Sequence, residues 1–143
     1  MRRFLPGRIL IDTGPLVAIL SRDDAHHQGC VDALREMPAP LYSCWPVVTE
    51  AAWLLRRSAR AIQQLLRSMD TGFLQLLPLD ATDAKGIGSL MRKYENIRPP
   101  LADAALVYLA GRDRIETIFT LDRRDFAIYR TNRRRSLRIL PEM

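Results

Sequence analysis

Short apolar runs of strand length alternate along this chain with longer stretches whose apolar residues recur at helical spacing. Residues 8–12, Arg-Ile-Leu-Ile-Asp, predict a buried first strand. Thr13-Gly14-Pro15 then opens a helix, with Thr13 placed to cap it and Pro15 suited to its first turn. A second helix is expected to start at Asp23-Asp24, run through Val31 and Leu34, and stop before Pro38. Residues 40–44 predict a second strand. Pro46 begins a third helix, with Val47, Ala51 and Leu54 on one face. A hairpin partner helix follows over about 59–68, and residues 72–77 form a third strand. From Asp80 onward, Ala84, Ile87, Leu90, Met91 and Tyr94 repeat at helical spacing. Pro99-Pro100 ends that helix and starts another over 101–110, with Gly111 near its end. Residues 117–121 make a strong strand and 137–140 a weaker last one.

Strands alternating with helices imply an α/β fold with a mostly parallel sheet covered on both faces. Sheets of this kind place their sites beyond the carboxyl ends of the strands. The chain of 143 residues fits one domain, residues 1–143, with no internal repeat and no low-complexity linker. No apolar run approaches the roughly 18 residues of a membrane span. The opening residues resemble a leader segment only superficially, because their apolar stretch is short and runs straight into Asp12. The expected location is the cytoplasm.

Four acids stand where acids are not expected. Asp12 and Asp122 each end a predicted strand, at the edge where a site would lie. Either could instead simply cap the following helix or turn. Glu50 falls among Val47, Ala51 and Leu54 on an apolar helix face, where a carboxylate is costly unless paired with an arginine or bound to a metal. Asp103 interrupts Leu-Ala-Asp-Ala-Ala-Leu-Val-Tyr-Leu-Ala, a helix apolar on every other face. The helix dipole favours an acid in the first turn, but it does not explain a carboxylate among Ala and Leu. If the four converge, their repulsion is relieved by protonation or by a cation. Hard oxygen ligands select Mg²⁺ or Mn²⁺. Such a cation would lower the pKa of a bound water and clamp the charge developing on a phosphate. His26 and His27 sit in a polar helix start and form no zinc set, and no Ser-His-Asp set or phosphate-cradling glycine loop competes.

Charge adds a weaker pointer. The net charge is +6, and of 22 basic residues only Lys85 and Lys93 are lysines. Arginine's planar fork holds phosphate in two places at once, although a genome rich in G and C also favours arginine. Cys30 and Cys44 have neither metal spacing nor companions for a disulfide framework, so both read as buried thiols.

Ile11-Asp-Thr-Gly-Pro-Leu-Val-Ala18, Val48-Thr-Glu50, Leu101-Ala-Asp-Ala-Ala105 and Phe119-Thr-Leu-Asp-Arg-Arg-Asp-Phe126 resemble, in order, the signatures of PIN-domain ribonucleases. The likeness is strongest to the VapC toxins of toxin–antitoxin pairs. This resemblance implies a three-layer α/β/α sandwich with a central sheet of about five strands, and Mg²⁺- or Mn²⁺-dependent cleavage of RNA. It makes Asp12, Glu50, Asp103 and Asp122 the catalytic acids, with Asp12, Asp103 and Asp122 holding the metal. Thr13 and Thr120 would support the first and last acids, and Asp125 is an outer acid or a turn cap. Many such relatives carry acids just upstream of the Leu-Ala-Asp motif, where this chain has Asn96, Pro99 and Pro100. Arg123 and Arg124 would contact phosphate. Arg133 and Arg134, in a run with Arg135, would extend the RNA track or form a solvated loop. The implied partners are a cognate antitoxin and a second copy of the chain. Trp45, Trp53, Leu54 and Leu55, beside Glu50, are read either as such a docking surface or as core. Two rival readings keep the fold: a non-catalytic RNA-binding module, and a nuclease of RNA processing rather than a toxin.

Overall fold

The computed structural model describes residues 7–142, so residues 1–6 of the leader-like opening lie outside the described residues. Five strands form the sheet: β1 (Ile9–Ile11), β2 (Leu41–Ser43), β3 (Leu74–Leu76), β4 (Thr117–Phe119) and β5 (Arg138–Leu140). Their order is β3-β2-β1-β4-β5, and every neighbouring pair is parallel. The Ile-Leu-Ile run is explained by this position. β1 is central, all three of its residues are buried, and a strand covered on both faces has no polar side to alternate with.

Seven helices connect the strands: α1 (Thr13–Leu20), α2 (His27–Arg35), α3 (Trp45–Leu54), α4 (Ala59–Asp70), α5 (Ala84–Lys93), α6 (Leu101–Asp113) and α7 (Arg123–Ile128). The chain first moves outward from β1 to β2 and β3. It then crosses back to lay β4 on the other side of β1, and β5 beyond it. Right-handed crossovers put α1–α4 on one face and α5–α7 on the other. In keeping with this, α1 packs against α2, α3 and α4, and α5 packs against α6, while α3 and α6 also meet across the two groups. The reversal creates a switch point between β1 and β4, where open parallel sheets leave a crevice at the carboxyl ends of their strands.

Several boundaries differ from the sequence expectation. Asp12, not Thr13, caps α1, and its Oδ1 accepts the Thr13 N–H at 2.8 Å. The second helix begins at His27 because Asp24 is held in a turn, its side chain accepting the His26 N–H and its carbonyl the His27 N–H. Along α3 the buried stripe is Val47, Val48 and Ala51, continued by Leu55 just beyond it, while Leu54 turns outward and is 54% exposed. Trp45 and Trp53 are 57% and 63% exposed, so the core reading of these tryptophans is wrong. The short helix α7, placed between β4 and β5, has no counterpart in the sequence pattern.

α6 is the best buried of the helices, with only Leu101 among its first ten residues classed as exposed. A polar clamp holds it to the segment before α5. The Tyr108 hydroxyl donates to Asp83 Oδ1 at 2.6 Å, and Arg112 donates to the Pro78 carbonyl at 2.8 Å. Asp83 also closes a capping box with Asp80. Gly86 lets the two helices approach, since a methyl group there would overlap the Tyr108 ring.

Gly86→Ala is therefore expected to destabilise the fold. Overpacking costs about 1–3 kcal/mol, and the gain in helix propensity returns only about 1 kcal/mol. The net loss of about 1 kcal/mol is read by urea denaturation. Gly88→Ala, where no atom stands within 4 Å of the new methyl, should show only the gain.

Candidate active site

The switch point collects the acids. Asp12 follows β1, and its backbone N–H bonds the Phe119 carbonyl of β4 at 2.9 Å. Its carboxylate is 6% exposed and takes two hydrogen bonds. One comes from Thr13 N–H, and the other from the Thr120 hydroxyl at 2.8 Å. Thr120 is fully buried, and its hydroxyl also accepts the Asp122 N–H at 3.0 Å. One threonine thus ties the acid ending β1 to the acid following β4.

Asp103 enters from the first turn of α6 and is also 6% exposed. Pro100, not Asp103, occupies the cap position, so capping does not account for this acid. Its Oδ2 accepts the Tyr129 hydroxyl at 3.2 Å. Tyr129 is buried and packs edge-on against Phe126 and Tyr94, at centroid distances of 5.1 and 5.2 Å. Asp122 caps α7, its Oδ1 accepting the Asp125 N–H at 3.1 Å. Asp103, Asp122 and Asp125 each bring a carboxylate oxygen within 4.8 Å of the others. Glu50, half-buried on α3, is close enough for its charge to act on both Asp12 and Asp103.

Among the described residues, no ion pair joins any of these acids to a cation. The salt-bridge reading of Glu50 is therefore not realised. Burial pushes the Asp12 carboxyl up to about 6 against the lowering effect of its hydrogen bonds from Thr120 and Thr13. Burial, reinforced by the Asp12 charge, pushes Asp103 up to about 8. Asp125 is raised as well, first by burial and then by Asp122. Hard oxygen donors crowded without a counter-charge are the chemistry of a divalent cation site. A second observation fits: the Thr13 hydroxyl is buried beside Asp12 with no hydrogen-bond partner among the described residues.

The structure thus gathers Asp12, Glu50, Asp103 and Asp122, with Thr13 and Thr120 beside them, and moves Asp125 from the periphery into the tightest group. The arginines are distributed differently. Arg123 donates to the Pro141 carbonyl, and Arg124 is exposed. Arg133 and Arg134 lie in the loop leading into β5, at the opposite end of the strands from the acids, so they do not continue a track from Arg123 and Arg124. Tyr129 went unnoticed in the sequence. The signal available was its spacing of three from Phe126, visible only once a helix is placed there. Cys30 and Cys44 are buried free thiols, as expected, and burial pushes Cys44 up to about 11.

Residues 9–132 match the PIN domain family. The chain is 32% identical over 124 residues to Ribonuclease VapC26 of Mycobacterium tuberculosis, covering 85% of this chain and 92% of that one. Its fold resembles the crystal structure of M. tuberculosis VapC20, described as a Sarcin-Ricin loop cleaving toxin. The TM-score is 0.71 at 16% identity, covering 77% of this chain and 86% of that chain. It also resembles VapBC2 from Rickettsia felis bound to a DNA fragment from its promoter. The TM-score there is 0.55 at 14% identity, covering 93% and 97%.

The raised carboxyls make stability depend on pH. Without a cation, folded Asp12 and Asp103 hold protons that the unfolded chain, with its ordinary value of 3.8, has already released. Where the folded state binds more protons, stability falls as pH rises. The melting temperature in EDTA should therefore drop between about pH 4 and about pH 8. Asp103→Asn should remove most of the drop and melt above the native chain at the alkaline end. Identical profiles for the two proteins would contradict a buried, uncompensated cluster.

Proposed function

This chain belongs to the PIN-domain family and stands with its VapC-type ribonucleases, and on that premise we propose that it is a divalent-metal-dependent endoribonuclease, the toxin of a toxin–antitoxin pair. The observation that carries the reading is the group of acids at the β1–β4 switch point, Asp12 and Asp103 buried and Asp122 and Asp125 beside them, without an ion-pair partner among the described residues. A non-catalytic module whose acids make salt bridges is disfavoured by the same observation.

In this reading Asp12, Asp103 and Asp122 hold Mg²⁺ or Mn²⁺, and Asp125 joins them through its closeness to the last two. When bound, the cation supplies an activated water near neutral pH and neutralises charge developing on the phosphate. The chain's own residues do the rest. Thr120 fixes the rotamer of Asp12 and the backbone of Asp122 together. Tyr129 holds one oxygen of Asp103, leaving the other free. Glu50, half-buried at the rim, is placed to orient the attacking water. Arg124, exposed next to Asp125, is the cation available to a neighbouring phosphate. Arg123 reaches one only by giving up the Pro141 carbonyl.

We also propose a cognate antitoxin and a second copy of the chain as protein partners. Trp45, Trp53 and Leu54 form exposed apolar surface on α3, more than a chain working alone would need to show. Among the described residues no helix is long and apolar enough to cross a membrane, consistent with action on RNA in the cytoplasm.

Asp12→Asn should lower Mg²⁺-dependent RNA cleavage by about a hundredfold or more while the protein stays folded, and EDTA should abolish cleavage by the native chain. Undiminished cleavage by the folded variant would sink the assignment. Tyr129→Phe keeps the ring packing and removes one hydroxyl. It should weaken Mn²⁺ binding, read by calorimetry, by about tenfold, as loss of a partner behind a ligand does elsewhere. Unchanged affinity would reduce Tyr129 to packing alone.

A further inference from the structure

A second cluster of like charges lies at the other end of the strands. The α6 terminus, the segment entering β4 and the loop entering β5 enclose a cavity of about 190 Å³. Arg114, Arg133 and Arg135 line it, with Thr131, Ser136 and Glu116. It lies at the amino ends of β4 and β5, whereas the acids lie beyond the carboxyl ends of β1 and β4. From Glu116 to Thr120 the strand alone spans about 13 Å.

The loop holding these arginines is fixed by hydrogen bonds. Thr131 is 4% exposed, and its hydroxyl accepts the backbone N–H groups of Arg133 and Arg135 at 3.2 and 3.3 Å. Its own N–H bonds the Arg135 carbonyl at 2.9 Å, and its carbonyl accepts the Arg134 N–H at 2.8 Å. Arg134 takes a left-handed φ of 62° to complete the turn. The loop also docks on α6 at Gly111, where a side chain would overlap Asn132. There Arg133 Nε donates to the Gly111 carbonyl at 3.1 Å.

One explanation is that the arginines merely satisfy the carbonyls ending α6. Arg133 does so through a single nitrogen. The side chains of Arg114 and Arg135 make no hydrogen bond or ion pair among the described residues, and the carboxylate of Glu116, also on the cavity wall, pairs with neither. Three exposed arginines against one acid on the wall of a single cavity, none of them ion-paired among the described residues, call for an anion from outside. Its guanidinium and hydroxyl donors suit the oxygens of a phosphate, and no aromatic ring lines it for a nucleobase to stack on. Its apolar residues Ile115 and Leu137 are themselves buried, which leaves little surface to anchor an acidic protein segment.

We propose that this cavity is a second RNA-contact site, which takes a backbone phosphate of a folded RNA whose cleaved bond lies at the acids across the sheet. The proposal rests on the ribonuclease reading. With no aromatic ring to stack a base, it would add affinity without reading sequence.

The test replaces Arg114 and Arg135 together, as Arg114→Gln and Arg135→Gln, because neither side chain supports the fold. Binding of a fluorescent RNA hairpin is measured in EDTA across a salt series, so no cleavage intervenes. Hairpin affinity should fall by about tenfold, and the slope against log salt by about 0.9, while the melting temperature holds. The Arg→Lys pair should retain most of the slope. Cleavage of a short unpaired oligonucleotide, too small to reach both edges, should be unchanged with Mg²⁺ present. Unchanged hairpin affinity and slope would overturn the proposal, as would no hairpin binding by the native chain. Equal loss on the short oligonucleotide, or tighter native binding of polyglutamate that the variant loses, would overturn it too. Failure of the native chain to cleave either RNA would instead count against the ribonuclease reading, since binding in EDTA is read separately.

Discussion

Gathering several carboxylates at one point, with Asp12 and Asp103 buried, is the constraint on which the rest of this structure depends. A lone buried acid is costly, and neighbours of like charge raise the cost. The fold meets it in two ways. Hydrogen bonds from Thr13, Thr120 and Tyr129 hold Asp12 and Asp103 in place, and without a cation the same two groups are pushed toward their protonated forms. The hydrogen bonds leave the charge in place, and protonation removes it only below about pH 6 for Asp12 and about pH 8 for Asp103. The residual field is therefore available to a divalent ion, and folding and metal binding become coupled.

The architecture delivers the acids from elements that differ in kind. Asp12 and Asp122 come from adjacent parallel strands, so their spacing is set by the β1–β4 ladder. Asp103 comes from a helix buried on nearly every side and clamped through Tyr108, Arg112 and Asp83, so it cannot retreat toward solvent. Tyr129 closes the set from α7, wedged between Phe126 and Tyr94. Strands of only three residues suffice because the helices on each face supply the buried area.

Much of this was legible in the residues. The Ile-Leu-Ile run signalled a strand covered on both faces, and Asp103 stood out because its helix is otherwise apolar. The sheet, its parallel sense and the four acids all follow from such contrasts. What escaped notice depended on context rather than composition. Leu54 and the two tryptophans look like core, yet they stand exposed, outside the buried stripe of Val47, Val48 and Ala51 on α3. The six-residue helix α7 is too short to show periodicity, so neither Tyr129 nor the place of Asp125 could be read. The arginine loop was legible as charge but not as location, since which end of a strand a loop reaches is a property of topology.

The distribution of arginine explains how an acidic site survives in a chain of net charge +6. An arginine paired with Asp12 or Asp103 would lower its pKa and supply the charge that a cation otherwise brings. Apart from exposed Arg124 beside Asp125, the arginines on α6 and around α7 are occupied elsewhere. Arg112 is spent on Asp113 and Asp83, Arg123 on the Pro141 carbonyl, and Arg130 on the carbonyls ending α7. Three guanidinium groups without carboxylate partners among the described residues, those of Arg114, Arg133 and Arg135, line the cavity at the far edge of the sheet. Keeping the two charges apart preserves both fields. The acids remain able to draw a cation, and the arginines remain able to draw the polyanion on which that cation would act.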